Sequence, residues 1–383
     1  MKRKSFFENI YDKIFPLYHF LFWYRFLSRK KAHNHSPSLH KVIARRCAMI
    51  VLFTVLILLV ILVNGWTDAP NAIAGCISTR AMTPPAALAM AAVCNFVGAL
   101  GMAMLSTRVA ETLFGIVEFG ENTELALASL TAGLCAVVLW ALAAWRFGIP
   151  TSESHALISG ITGAALAQTM SLNAINAKEW GLVLLGLVAT TIPACLLGSL
   201  FFTVLQKFVA KRERRRVMRY FLRTQRVSAA MSALLHGAQD SQKFMGVYLL
   251  GLSLVKPSLK NGASLPFSIV LICASVMTLG TMLGGAKIIK KIGVDMIDLN
   301  AAGGSASDAA SSVVLTVCSF LGIPASTTHS KACAMMGTGL GKRGGIDFRI
   351  VGQMLAAWAL TFPICGVIGF LLSRLFSLFL SAH

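Results

Sequence analysis

Apolar residues run almost unbroken from Cys47 to Val63 and then meet "NGWTDAPNAIAG", residues 64–75. Comparable apolar stretches recur near 84–106, 125–147, 180–205, 227–252, 265–285, 308–321 and 350–380. Most are close to the roughly 20 residues that a helix needs to cross the hydrocarbon core of a bilayer. Lipid offers no hydrogen bonds to exposed backbone, and no alternating ten-residue strands of a barrel are present, so each stretch predicts a helix. The pattern therefore predicts an all-α polytopic membrane protein of the cell membrane.

The polar interruptions are not scattered. Residues 64–71 read N-G-W-T-D-A-P-N and residues 236–243 read H-G-A-Q-D-S-Q-K, with Gly and Asp coinciding at an offset of 172. Residues 148–155, G-I-P-T-S-E-S-H, and 322–329, G-I-P-A-S-T-T-H, share five of eight positions at an offset of 174. T-I-P at 191–193 and T-F-P at 361–363 repeat at an offset of 170. Three echoes in one order at nearly constant spacing predict a duplication, 47–206 and 227–383, joined by a linker at 207–226. Duplicated halves with interrupted helices at matching places are the sequence sign of a secondary transporter, whose site lies where the interruptions converge.

Composition agrees: 56% of the 383 residues are hydrophobic and 13% are charged. The formal net charge of +20 changes the picture only when mapped, because 11 of the 35 Lys and Arg fall in residues 1–46 and 9 in residues 207–226. Basic segments beside membrane spans stay in the cytoplasm, which assigns both segments there. No reader fold accompanies the charge, so nucleic acid is not a predicted partner. The aromatic and basic N-terminal segment lacks the features of a secretory signal and suits the membrane interface. Nine cysteines without a C-x-x-C pair read as small apolar packing residues. The predicted partners are the bilayer, the transported solute and further copies of the chain; no cofactor or enzymatic constellation is indicated.

Each interruption has its own chemistry. Pro150 and Pro324 fit the first turn of a helix, followed by hydroxyls beside free N–H groups at a positive dipole end. Such a terminus binds an anion without formal positive charge. Thr151, Ser152 and Ser154 in one copy, and Ser326, Thr327 and Thr328 in the other, are the candidate anion ligands, with Gln239 and Lys243 beside them. His155 and His329, at matching positions, either orient the loop or carry protons. Asp68 and Asp240 are costly at membrane depth unless they face a partner, water or a cation. Asn64, Thr67, Asn71 and Gln239 add oxygens suited to Na⁺, and Glu153 joins the candidate coupling groups. Lys243 replaces Asn71 three residues after Asp240, where it either neutralises that carboxylate or helps to hold an anion. Asp308, in a run of small residues, reads as lining either a close helix contact or a polar cavity, with packing the favoured reading. Gly280 and Gly284 read as a tight helix crossing.

Taken together, "NGWTDAPNAIAG", "HGAQDSQKFMG", "GIPTSESHALISG" and "GIPASTTHSKACAMMG" resemble the paired signatures of the inorganic phosphate transporter (PiT) family, and "LGGAKIIKKIG" at 283–293 resembles a segment of its bacterial members. The resemblance covers about 47–380. It implies two inverted repeats with discontinuous helices and re-entrant segments, importing phosphate by alternating access with Na⁺ or H⁺. It implies a cation near Asp68, Asn71 and Asp240, and phosphate near Ser152, Ser154, Ser326, Thr327 and Thr328. Thr67 and Gln239 stand where the usual signature has Asn, and Glu153 where it has Thr. A sulfate permease and an uncoupled anion channel are the rival readings. Inverted repeats need an odd number of crossings between residues 47 and 227, whereas two cytoplasmic basic segments need an even number.

Overall fold

A computed structural model describes residues 37–149, 151–209, 213–256, 259, 265–290, 296–297, 299–340 and 346–381. The N-terminal aromatic segment and Pro150 lie outside these residues, as does most of the 291–298 loop. The described residues form a helical chain: α1 (Pro37–Thr67), α2 (Pro70–Ser78), α3 (Pro84–Leu105), α4 (Arg108–Phe114), α5 (Thr123–Phe147), α6 (Glu153–Thr169), α7 (Ala177–Val209), α8 (Arg214–Val255), α9 (Phe267–Leu283), α10 (Ala286–Lys290), α11 (Ala301–Leu321), α12 (Thr327–Gly339) and α13 (Phe348–Ser381). Among the described residues, six helical stretches are long and apolar enough to cross a membrane: Arg46–Ser78, Pro84–Leu105, Thr123–Phe147, Ala177–Phe208, Ala301–Leu321 and Phe348–Leu380. Their outward faces carry exposed Val, Leu, Ile and Phe, as expected of surface that faces lipid rather than water.

The first predicted interruption is present. Proline lacks the N–H that would continue the ladder, and its ring collides with the preceding turn. Accordingly α1 ends at Thr67, Asp68 and Ala69 form a turn, and Pro70 opens α2 at its first position. The second interruption is absent, which corrects the expectation of two broken helices. Gln242 stands where the first copy has Pro70, so the N–H is retained and α8 runs unbroken for 42 residues through His236–Gly246.

The motif glycines serve helix crossings. A Cβ at Gly237 would fall 2.2 Å from the Asn95 carbonyl oxygen, and one at Gly98 would fall 1.9 Å from that of Leu234. The same contact recurs between α1 and α9, where a Cβ at Gly65 would meet Met277 and one at Gly280 would meet Leu62. Gly280 thus fulfils its predicted role. Gly284 does not belong to the crossing: it ends α9 with φ +73°, a conformation that favours glycine.

Two helical hairpins complete the bundle. α5 ends at Gly148 (φ +63°) before α6, and α11 ends at Gly322 (φ +76°) before α12. α6 packs back against α5, and α12 against α11. Exchanging α1, α3, α5, α6 and α7 for α8, α9, α11, α12 and α13 turns each major packing pair into another. α3·α8 answers α1·α9, α6·α13 answers α12·α7, and α5·α13 answers α11·α7. Pro193 in α7 and Pro363 in α13 sit at corresponding places.

α1 and α8 run antiparallel. Gly251 of α8 lies against Phe53, while Gln225 accepts a hydrogen bond from Thr79 at 2.7 Å and Arg226 donates to the Ala81 carbonyl at 2.7 Å. Arg46, at the other end of α1, pairs with Glu124 at 3.0 Å. Residue 46 and residue 225 therefore lie at opposite ends of the bundle.

Candidate functional site

The broken helix, the long helix and both hairpin tips meet at one buried cluster. At each tip a serine caps the returning helix: Ser152 Oγ accepts from the His155 N–H at 3.4 Å, and Ser326 Oγ from the His329 N–H at 3.2 Å. Pro324 lies two residues before that cap, outside the helix, so its predicted place in the first turn is corrected. The two caps touch, with Ser326 Oγ donating to Ser152 Oγ at 2.9 Å. Two helix N-termini, each with free N–H groups and a positive dipole end, thus face each other across a contact buried from solvent.

Around these tips stand the carboxylates. Asp68, in the turn between α1 and α2, accepts from Asn71 Nδ2 at 2.6 Å and from the Thr328 hydroxyl; Asn71 also donates to Thr328 Oγ1 at 2.9 Å. Glu153, the first residue of α6, receives the Thr67 hydroxyl, and the Asn64 amide lies against it. Asn64, Thr67, Asp68, Asn71 and Glu153 are all buried. Asp240, on α8, is held by Lys243 Nζ at 2.5 Å, by His236 Nε2 at 3.2 Å and by Thr327 Oγ1 at 3.1 Å. Ligand atoms of Asp68, His236 and Asp240 lie within 4.8 Å of one another, a spacing that a bound cation could bridge.

Of the two predicted roles of Lys243, the ion pair with Asp240 is present. Its ammonium neutralises Asp240 and also reaches both tips, donating to Ser154 Oγ at 2.7 Å and to the Ala325 carbonyl at 2.5 Å. Gln239 donates to the Ile323 carbonyl at 3.2 Å, which ties the second tip to α8. Thr151 is buried at the first tip. The rings of His155 and His329 lie 4.7 Å apart, His155 packs on Phe362 at 4.6 Å and His329 on Trp358 at 3.8 Å. They form an aromatic stack behind the tips.

The structure also adds residues to which the sequence assigns no role. His236, the counterpart of Asn64, bridges Asp240 and Asn95, whose Oδ1 lies 3.2 Å from His236 Nδ1. Its signal is the offset of 172, which aligns it with Asn64. Of the two readings of Asp308, packing does not describe it, since its carboxylate pairs with the ammonium of Lys331, a residue the sequence does not single out, both side chains being buried.

Comparison with known proteins gives one consistent answer. Residues 64–369 match the family described as "Phosphate transporter family". A probable low-affinity inorganic phosphate transporter of Bacillus subtilis (strain 168) is 32% identical over 338 residues, covering 86% of this chain and 99% of that protein. A protein of the same description from Mycobacterium tuberculosis (strain ATCC 25618 / H37Rv) is 34% identical over 312 residues, covering 80% of this chain and 72% of that one. A solved structure described as the sodium-dependent phosphate transporter shares the fold, with a TM-score of 0.78 at 19% identity over 86% of this chain and 99% of that one.

Proposed function

This chain belongs to the phosphate transporter family, and from that membership we propose that it imports inorganic phosphate by cation symport through alternating access. The observation that carries the reading is the meeting of two capped helix N-termini with three buried carboxylates and one ammonium. Hydroxyls and free N–H groups at the tips suit a tetrahedral oxyanion, and Lys243 adds the formal positive charge. Thr151, Ser152, Ser154, Ser326 and Thr327 are the proposed phosphate contacts, with Gln239 holding the second tip in position.

Coupling follows from charge. Asp68, Glu153 and Asp240 bring three carboxylates against one lysine, with His236 beside them. An anion entering that cluster meets net negative charge in a poorly solvated site, where charges interact far more strongly than in water. A cation bound first removes the penalty, so the two solutes travel together. Asn64, Thr67, Asp68, Asn71 and Glu153 offer the oxygens for it, while in the second half Lys243 already occupies the position of a counter-ion to Asp240. The coupling cation is Na⁺ or a proton; the sodium-dependent protein that shares this fold supports Na⁺. Phosphate is favoured over sulfate because a protonated phosphate oxygen can donate to Asp68 or Asp240 and sulfate has no hydrogen to give.

The halves are proposed to be inverted repeats, each with three crossings and one re-entrant hairpin. The two basic segments then lie on opposite sides of the membrane, and only one obeys the positive-inside rule. Arg80, Lys290 and the linker, with nine Lys and Arg in 207–226, share one side, whereas Glu111, Glu118, Glu121, Glu124 and Glu179 share the side of residue 46. We therefore assign the linker to the cytoplasm.

The test is uptake of labelled phosphate into liposomes holding the purified protein, with Na⁺ and pH gradients imposed separately and sulfate as competitor. Accumulation is expected with one of the two gradients. Flux indifferent to both would make the protein a channel, and equal competition by sulfate would overturn the phosphate assignment.

A further inference from the structure

The exchange of the two halves gives each side chain around the centre a counterpart, and on the linker side an ion pair and three serines stand where the first half has apolar residues. On the linker side of the cluster stand Ser228, Ser232, Asp308, Ser312 and Lys331. At the offsets of 172 for α8 and 174 for the hairpin, their counterparts are Leu56, Val60, Leu134, Val138 and Leu157. These apolar residues belong to one continuous core beneath the other face. The first hairpin is thus closed by Leu134 and Leu157, each with 0% exposure, and the second by Asp308 and Lys331, at 0% and 2%.

Stability does not require the ionic version. A buried ion pair is seldom better than well-packed apolar residues of similar size, and the sister hairpin is built from leucines. The surroundings point to a ligand instead. Lys331 lines a small cavity with Asn71, Ser232, His236 and Thr327, and Asn71, His236 and Thr327 are also part of the central cluster. Ser228 Oγ donates to Asp308 Oδ2 at 3.2 Å. The Ser312 hydroxyl, one turn after Asp308 on α11, is buried without a hydrogen-bond partner among the described residues.

We propose that Lys331 and Asp308 form a second, transient station for a tetrahedral oxyanion, between the central cluster and the linker face. The proposal rests on the reading of the protein as a phosphate symporter. At this station Lys331 supplies the positive charge and Ser232 a hydroxyl. Asp308 accepts the hydrogen of a protonated phosphate oxygen, a bond that sulfate cannot make. When no anion is present the ammonium returns to Asp308, which keeps the route closed to passive leakage. The other face has no such station, so solute handed from the centre toward the linker meets a polar route in one direction only.

The test is the double substitution D308L/K331L, which gives the second hairpin the pair already present in the first and leaves no unpaired charge. Equilibrium phosphate binding by the purified protein reads the central site, and exchange of labelled phosphate across liposomes reads the passage. Binding is expected to stay within about twofold of the unsubstituted protein. Exchange is expected to fall by at least about tenfold. Unchanged exchange overturns the station, and so does loss of phosphate binding by a protein that still elutes as a folded species. Should the double variant fail to fold, S232V, which copies the Val60 of the first half, takes its place: slowed exchange supports the station and unaltered exchange overturns it. Failure of the unsubstituted protein to bind phosphate at all would instead defeat the underlying symport reading.

Discussion

Asp68 and Asp240 occupy corresponding positions yet do different work. Asp240 is neutralised by Lys243 on its own helix, whereas Asp68 is surrounded by neutral donors, Asn71 and Thr328, and faces a second acid, Glu153, across Thr67. On the proposed symport reading, Asp68 is consequently the group whose charge calls for a mobile cation. Asp68→Asn should leave the protein folded and abolish gradient-driven phosphate accumulation in liposomes; normal accumulation would remove Asp68 from coupling. Lys243→Met should destabilise by roughly 3–5 kcal/mol, because it strands a buried carboxylate. The double variant D240N/K243M should regain most of that loss in thermal unfolding while remaining inactive in uptake. If the single variant melts like the parent protein, Lys243 is not the counter-ion on which Asp240 depends.

Among the elements, the hairpins are more legible in the sequence than the long helices. Repeated G-I-P and hydroxyl residues announce the two helix starts, but the helices begin later than the prolines suggest: Ser152 and Ser326 are the caps, and Pro324 lies before the helix rather than in its first turn. The break after Thr67 is legible because proline cannot continue a helix. At His236–Gly246 polarity imitates an interruption that the backbone does not make. In the fold those polar side chains pair with both hairpin tips while the backbone of α8 stays intact. The Asp308–Lys331 pair is not legible, since its partners lie on different arms of a hairpin and only the turn at Gly322 brings them together. The tips also carry a direct expectation. Ser326→Ala should cost about 1 kcal/mol through the lost cap. Combined with Thr327→Ala, it should raise the dissociation constant for phosphate roughly tenfold, equivalent to about 1.4 kcal/mol. Titration calorimetry on the purified protein measures this, and unchanged affinity would exclude the second tip from the phosphate site.

For the molecule as a whole, the central question is which face is which, and the path of the chain reduces it to one measurement. α1 and α8 are antiparallel, so residue 46 and the linker end at 225 lie at opposite ends of the bundle, and assigning one assigns the other. Charge favours a cytoplasmic linker: nine Lys and Arg fall within 207–226, against six in the 20 residues ending at Arg46. On the side of residue 46 the segment between α3 and α5 carries Glu111, Glu118 and Glu121 against Arg108. Trypsin should therefore cut the basic linker in inside-out vesicles and leave it whole in intact cells. An epitope inserted between Met170 and Asn176, at the base of the first hairpin, should behave oppositely and be stained on intact cells. Matching behaviour of the two sites would break the odd count of crossings and with it the inverted relation of the halves. Reversed behaviour of both would keep the fold but turn it over, and the polar route past Lys331 would then open to the outside rather than to the cytoplasm.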